Sequence, residues 1–461
     1  MEKHMKNLTL EHIAAACHGT YRGPEEKKAV CVTSIITDSR KAEEGCLFVP
    51  IKGARVDAHE FIEGVMEAGA LCTLSEQDLG EKGYPWIQVD SSLQAVKDIA
   101  AYYLRQLKIP VVGITGSVGK TSTKEMIAAV LAQKYKVLKT QGNFNNELGL
   151  PLTIFRLREE HEIAVLEMGI SDFGEMHRLA GIARPETCVI TNIGYCHLEF
   201  LKSRDGVLKA KTEIFDYLEE TGHIILNGDD DKLSSVGEVK GVQPEFFGIQ
   251  NQWGLFADEI ESRGLQGVSC RIHMDGSSFQ VLIPLPGQHM VYNALAGAAV
   301  GRVYGLTAEQ IKAGIESLQP LSGRFHIIDK NGITVIDDCY NANPVSMKAS
   351  LELLTDALGR KVAILGDMGE LGEQEARMHR EVGAFAATLE LDVCVCVGAL
   401  SRGMAEAAKL GGTHTKVLHM ESLEELLEGL DKIIRKGDTI LVKASHFMKF
   451  ERVVEALTRD R

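Results

Sequence analysis

Three α/β domains are expected from this chain, on three observations. Its 461 residues exceed what one hydrophobic core organises. Apolar runs at Val111–Thr115, Ile163–Met168, Thr187–Thr191 and His223–Asn227 alternate with amphipathic stretches of helical length, the mark of a parallel sheet covered on both faces. Finally, Gly116-Ser117-Val118-Gly119-Lys120-Thr121 joins the first run to a helical stretch, Lys124–Leu131, which makes the central region a parallel-sheet ATPase domain of the phosphate-loop type.

The elements follow in chain order. Residues 1–107 open with a helical pattern, Leu8–Cys17, stopped by Gly19, and continue with short strand-like runs such as Gly45–Ile51, predicting a small N-terminal α/β domain. Pro110 opens the central domain, residues 108–319. Within it, Gly267–His273 and Ser278–Ile283 have an antiparallel texture, expected as an edge insertion on the central sheet, before a small-residue helix at Asn293–Val300. After Gly323 the alternation restarts with Ile333–Ile336, Lys361–Leu365, Val393–Val397 and Thr439–Val442, predicting a C-terminal Rossmann-like α/β domain over 320–461.

Composition excludes several function classes. A formal net charge of −14 without any Lys/Arg-rich stripe argues against nucleic acid or an anionic membrane as partner, so an anionic substrate has to be met by local cations and metal. The 10 cysteines are scattered with no Cys-x-x-Cys, which reads as reduced thiols. The N-terminus mixes charges and lacks an apolar signal core, and no stretch approaches the length of a membrane span, so a cytoplasmic protein without membrane insertion is expected.

The phosphate loop sits where a strand hands over to a helix N-terminus, so free N–H groups and the helix dipole attract an anion. Lys120 neutralises outer phosphate charge and the Thr121 hydroxyl suits Mg²⁺. Gly116 and Gly119 bracket two residues rather than the usual four, and the competing reading is a tight turn with a solvated lysine. Glu167 ends its strand at the sheet edge where ligands bind, placed like the acidic partner of nucleotide-bound Mg²⁺; alone it would read as a loop carboxylate. His197 follows the run ending at Thr191, either as a packing residue or as part of a second Mg²⁺ site. By composition Lys211 is a surface lysine. Asn143, Asn145 and Asn146 form an amide-rich loop suited equally to turn-capping and to substrate contact. Asp338 and Tyr340 end a later strand, where a carboxylate could accept from ribose hydroxyls and a ring could stack, or where an Asx turn simply starts a helix. Gly366–Gly372 ends the next strand, its glycines either functional or turn punctuation.

Taken together these segments resemble the ATP-dependent Mur ligases of peptidoglycan synthesis over essentially the whole chain. The resemblance rests on Thr37–Arg40 with Gly45–Phe48, Ile114–Lys124, Asn143–Asn146, Glu167–Gly169, Thr191–Gly194 through His197–Glu199, Asn293–Ala296, Ser322–Arg324, Asp338–Met347, Leu365–Met368 and Glu370–Glu373. Tyr340-Asn341-Ala342-Asn343-Pro344 points to the branch that adds D-alanyl-D-alanine to UDP-N-acetylmuramoyl-tripeptide.

That resemblance implies roles. Thr115 through Ser122, including Gly116, Ser117, Val118, Gly119, Lys120 and Thr121, would hold the ATP phosphates; Thr121 and Glu167 one Mg²⁺; His197 with Glu167 a second. Lys211 falls where family members have a lysine, carbamylated in some, that helps position the second metal. Asn293 matches an adenine contact, Asp338 with Tyr340 the ribose region, and Arg324 a phosphate contact. Ser39 and Arg40 fall in the UDP-binding stretch, Asn143, Asn145 and Asn146 face the muramoyl peptide, and Asn341 and Asn343 lie near the incoming dipeptide. The implied enzyme is a monomeric, ADP-forming amide ligase that works through an acyl phosphate. Its rivals are a sibling Mur ligase, a folylpolyglutamate-type ligase, and an ATP-driven switch. Three positions depart from the family pattern: Met290 stands where Asn is expected, Lys202 where Gly is usual, and Ala444-Ser445-His446 where Gly-Ser-Arg is usual.

Overall fold

The computed structural model describes residues 4–53, 56–252, 254–411 and 414–459, so the outer ends of the first and last predicted domains lie outside the described residues. The chain forms two compact units: Met1–Gly194 with Arg204–Gly254 and Ala296–Gly314, and Tyr195–Ser203 with Leu255–Leu295 and Ile315–Arg461.

The first unit begins with helix Leu10–Ala16, whose N-cap Thr9 accepts from the His12 N–H, the local rule that short hydroxyl side chains start helices. A small sheet follows in the order Thr20–Arg22, Trp86–Gln88, Cys72–Ser75, Leu47–Phe48, Ile35–Ile36, parallel except for its first pair. Helix Ser92–Leu107, capped by Ser91, leads into the larger sheet. Its parallel strands run Glu245–Gly248, His223–Asn227, Thr187–Ile190, Val111–Thr115, Ile163–Glu167, Val137–Lys139. Val111–Thr115 is buried throughout and flanked by the strands 163–167 and 187–190, so the order reverses there, and a reversal opens a crevice at the carboxyl ends of the strands.

In the second unit, Leu255–Ser262, Val268–Met274 and Ser277–Ile283 make an antiparallel meander, as the texture of the last two segments predicted, with the strand 255–262 in addition. The C-terminal sheet runs His326–Lys330, Ile333–Asp337, Asp438–Lys443, Arg360–Gly366, Val393–Val397, Lys416–Met420, parallel except for the first pair. Its two faces carry separate apolar layers, one around Leu426, Phe450 and Val453, the other around Met347, Leu351 and Met404. This is the doubly wound arrangement expected from alternation.

Candidate active site

Strand Val111–Thr115 ends at Gly116, and helix Lys120–Leu131 starts after Gly119. Gly116 has φ 153°, and a Cβ there would lie 1.9 Å from the Thr191 hydroxyl, so only glycine fits. Gly119, at φ 81°, is the N-cap and offers no side chain to the helix, while the first backbone return bond is Thr123 N–H to the Gly119 carbonyl. The N–H groups of Lys120, Thr121 and Ser122 therefore have no partner among the described residues. The loop is braced from the next strand end: Val118 N–H donates to Asn192 Oδ1 at 3.0 Å, the Thr191 hydroxyl to the Val118 carbonyl at 2.7 Å, and Gly194 N–H to Ser117 Oγ at 2.8 Å. Lys120 Nζ folds back to donate to the Gly116 carbonyl at 2.9 Å. Thr115 ends the strand with a buried hydroxyl that lacks a partner among the described residues.

Glu167 is 2% exposed at the end of the neighbouring strand. Thr121 Oγ1 donates to its Oε2 at 2.8 Å and Asn145 Nδ2 to its Oε1 at 2.9 Å. The structure thus brings Lys120, Thr121, Glu167 and Asn145 together, and gives Asn145 a role that neither turn-capping nor substrate contact anticipated. Asn146 caps its own turn through the N–H groups of Leu148 and Gly149, while Asn143 is exposed. Sequence reasoning passed over Lys124 and Thr140. Both are buried, and Thr140 Oγ1 accepts from the Glu167 N–H at 3.0 Å. Lys211 is not a surface residue. It is 1% exposed on helix Arg204–Thr212, whose buried stripe is Val207, Ala210 and Lys211. Ser39 and Arg40 sit on a single 3₁₀ turn capped by Asp38, and Arg40 grips that carboxylate by Nε at 2.9 Å and Nη2 at 2.8 Å. The Arg40 hydrogen bonds hold the Asp38 carboxyl at about 2, so the fork stays charged throughout the neutral range.

The remaining candidates belong to the second unit. His197 has φ 50° as N-cap of helix Leu198–Leu201, with Nδ1 3.5 Å from Glu370 Oε2. Lys202, where the family pattern has glycine, takes φ 67°, a conformation glycine reaches without strain. Asn293 donates to the Met290 sulfur at 3.2 Å, so the Met departure touches the expected adenine residue. Arg324 stacks over the Tyr340 ring at 4.1 Å, and the His446 ring lies 5.7 Å from that ring at 35°. Asp338 receives Lys443 Nζ at 2.6 Å and Ser350 Oγ at 2.6 Å on Oδ2, and Phe325 N–H at 3.2 Å on Oδ1. A carboxylate has about four acceptor positions, so one is left for a hydroxyl. Asn343 is the N-cap of helix Pro344–Thr355, in a reciprocal box with Ser346, and Asn341 Oδ1 accepts from the Ala342 N–H. The Gly366–Gly372 loop is braced by Asp367 to Ser401, by Met368 N–H to His379 Nε2, and by Gly369 N–H to Ser445 Oγ.

A loop of this geometry serves many nucleotide enzymes, so the relatives decide the family. Residues 114–301 match the Mur ligase middle domain and residues 323–446 the Mur ligase glutamate ligase domain. The chain belongs to the Mur ligase family. Among the family's curated members, it is similar to the UDP-N-acetylmuramoyl-tripeptide–D-alanyl-D-alanine ligase of Bacillus subtilis, at 38% identity over 98% of this chain and 99% of that one. Two solved Mur ligase structures resemble it closely: MurF from Acinetobacter baumannii, with TM-score 0.89 and 33% identity over 98% of both chains, and MurF from Thermotoga maritima in complex with ADP, with TM-score 0.80 and 31% identity over 92% of this chain and 96% of that one. Among the described residues of this Mur ligase, no helix is long and apolar enough to cross a membrane.

Proposed function

We propose that this chain is the ADP-forming ligase that joins D-alanyl-D-alanine to the C-terminal carboxylate of UDP-N-acetylmuramoyl-tripeptide, giving the UDP-N-acetylmuramoyl-pentapeptide used in peptidoglycan synthesis. The observation that carries the reading is the Thr121 hydroxyl 2.8 Å from a buried Glu167 carboxylate, beside a helix N-terminus whose first N–H groups are unpaired. Relatives matched over nearly their whole length bear the name of that activity. Cytoplasmic action is part of the proposal, in keeping with 10 cysteines present as free thiols.

The chemistry begins with two anions, since the tripeptide carboxylate has to attack the γ-phosphorus of ATP. Unpaired N–H groups at Lys120–Ser122 and the Lys120 ammonium offset the phosphate charge. The Pγ–O bond to the β-phosphate breaks, ADP leaves, and an acyl phosphate forms. The dipeptide amine then adds to the acyl carbon, and the tetrahedral intermediate expels phosphate while the nitrogen loses a proton. Both donors next to the loop, Thr121 and Glu167, present hard oxygens, which fits Mg²⁺; a second ion is assigned to Glu167 with His197, with Lys211 helping to position it, and when bound the metal would supply positive charge to the triphosphate. Within the second unit, Asn293, Tyr340, Asp338 and Arg324 would meet adenine, ribose and phosphate, and Asn341 and Asn343 the dipeptide. Ser39 and the forked Arg40 would meet the UDP moiety.

The chain, given ATP, Mg²⁺ and UDP-N-acetylmuramoyl-tripeptide, is offered D-alanyl-D-alanine, D-alanine, L-lysine or D-glutamate in separate reactions analysed by mass spectrometry. The mass of the pentapeptide, appearing with the dipeptide alone, is the expected outcome. Extension of the tripeptide by a single amino acid would reassign the chain to another branch.

A further inference from the structure

Beneath the phosphate loop lies a chain of charges that the ligase chemistry does not use. Lys124, in the second turn of helix Lys120–Leu131, is 1% exposed. Its Nζ donates to the Thr140 carbonyl at 2.7 Å, pairs with Glu125 Oε1 at 3.0 Å, and stands 3.9 Å from Glu167 Oε2. Glu125 in turn holds Lys139 at the surface. Thr140 ties Lys124 to Glu167, because its carbonyl takes the lysine and its hydroxyl takes the Glu167 N–H. The order Lys139, Glu125, Lys124, Glu167 alternates in sign and sums to zero.

A buried ammonium is tolerated only where it is paired and hydrogen-bonded, and Lys124 is both. At 3.9 Å its charge acts on Glu167 without taking up the carboxylate's acceptor positions. A divalent cation arriving alone would put surplus positive charge beside an ammonium that has nowhere to go. A cation arriving with a polyphosphate brings net negative charge, which Lys124 and Lys120 favour.

We propose that Lys124 is an internal counter-cation that holds Glu167 in place and excludes a free divalent ion, so that the metal enters only with the nucleotide. The proposal rests on the reading of Glu167 as a metal-holding residue. Lys124 is a positioning residue in this account.

The test measures Mn²⁺ binding to the full chain by electron paramagnetic resonance, first with Mn²⁺ alone and then with ADP present. Wild type should bind Mn²⁺ weakly until ADP is added. Lys124→Met should tighten Mn²⁺ alone by about tenfold or more. Glu125→Gln should weaken it further, because the ammonium then turns its whole charge on Glu167. A purely structural role would move both variants in one direction, and that result, or no change in either, overturns the proposal. If Lys124→Met does not fold, Glu125→Gln still decides: unchanged or tighter Mn²⁺ binding counts against it. A Glu167→Gln control separates the two levels. Unchanged Mn²⁺–ADP affinity in that control overturns the metal assignment and the proposal together. Weakened Mn²⁺–ADP affinity, with Mn²⁺ alone unmoved by Lys124→Met, overturns the proposal only.

Discussion

Replacing Lys120 by alanine is expected to lower kcat on the order of 10³-fold while leaving thermal unfolding unchanged. The two halves of that expectation have separate origins. Lys120 is half-buried, and its ammonium is satisfied by a single carbonyl of its own loop, Gly116 O at 2.9 Å. Truncation therefore orphans no buried charge, and the brace from Thr191, Asn192 and Gly194 still holds the loop. In the reaction, however, the ammonium is the loop's side-chain cation, and the transition state presses the carboxylate against the phosphates while negative charge develops on the departing β–γ bridging oxygen. Steady-state phosphate release and differential scanning calorimetry read the two halves. Near-normal turnover in Lys120→Ala would remove the phosphate loop from the mechanism.

A different kind of loss is expected at Asp338. Its carboxylate lies 2.6 Å from Lys443 Nζ, and the lysine side chain is 3% exposed. Deleting the carboxylate in Asp338→Ala leaves that ammonium buried against the Asp338 and Asn341 carbonyls, with its charge uncompensated. The expected cost is about 3–5 kcal/mol, because breaking a buried pair leaves an unpaired ion in a poorly solvated place. Urea unfolding monitored on the full chain checks it. The double variant Asp338→Ala with Lys443→Met should recover much of the loss, since it removes the stranded charge as well. Equal instability of the single and double variants would mean that the carboxylate matters through Ser350 and Phe325 rather than through Lys443.

Much of the fold could be read in advance because its core strands are apolar on both faces. Val111–Thr115, His223–Asn227 and Val393–Val397 begin and end at the predicted residues, and each is bounded by polar or glycine-containing turns. Two strands that escaped notice lie at the edges of the C-terminal sheet. His326–Lys330 and Lys416–Met420 carry charged residues and are only partly buried, so their alternation is blurred by the polar residues that protect an edge. The loop that binds phosphate in this reading was legible because backbone geometry forces its glycines, and lysine and threonine at that spacing carry phosphate and metal chemistry. Glu167 was legible from its place at a strand end. Its supports were not. Asn145, Thr140 and Lys124 act through tertiary contacts across 22, 27 and 43 residues of chain, and nothing local marks an amide, a hydroxyl or an ammonium for such work. Lys211 was a misreading with a recoverable cause. Val207, Ala210 and Lys211 follow the spacing of a buried helical stripe, and that period outweighed the residue's own polarity.

Activation of a carboxylate by phosphoryl transfer, followed by its capture by an amine, leaves an isotopic trace in the phosphate. UDP-N-acetylmuramoyl-tripeptide labelled with ¹⁸O in its terminal carboxylate is turned over with ATP, Mg²⁺ and D-alanyl-D-alanine, and the released phosphate is analysed by mass spectrometry. Each phosphate is expected to carry one ¹⁸O, matched by one pentapeptide formed. Unlabelled phosphate, released whether or not the dipeptide is present, would contradict it and leave a nucleotide hydrolase in its place.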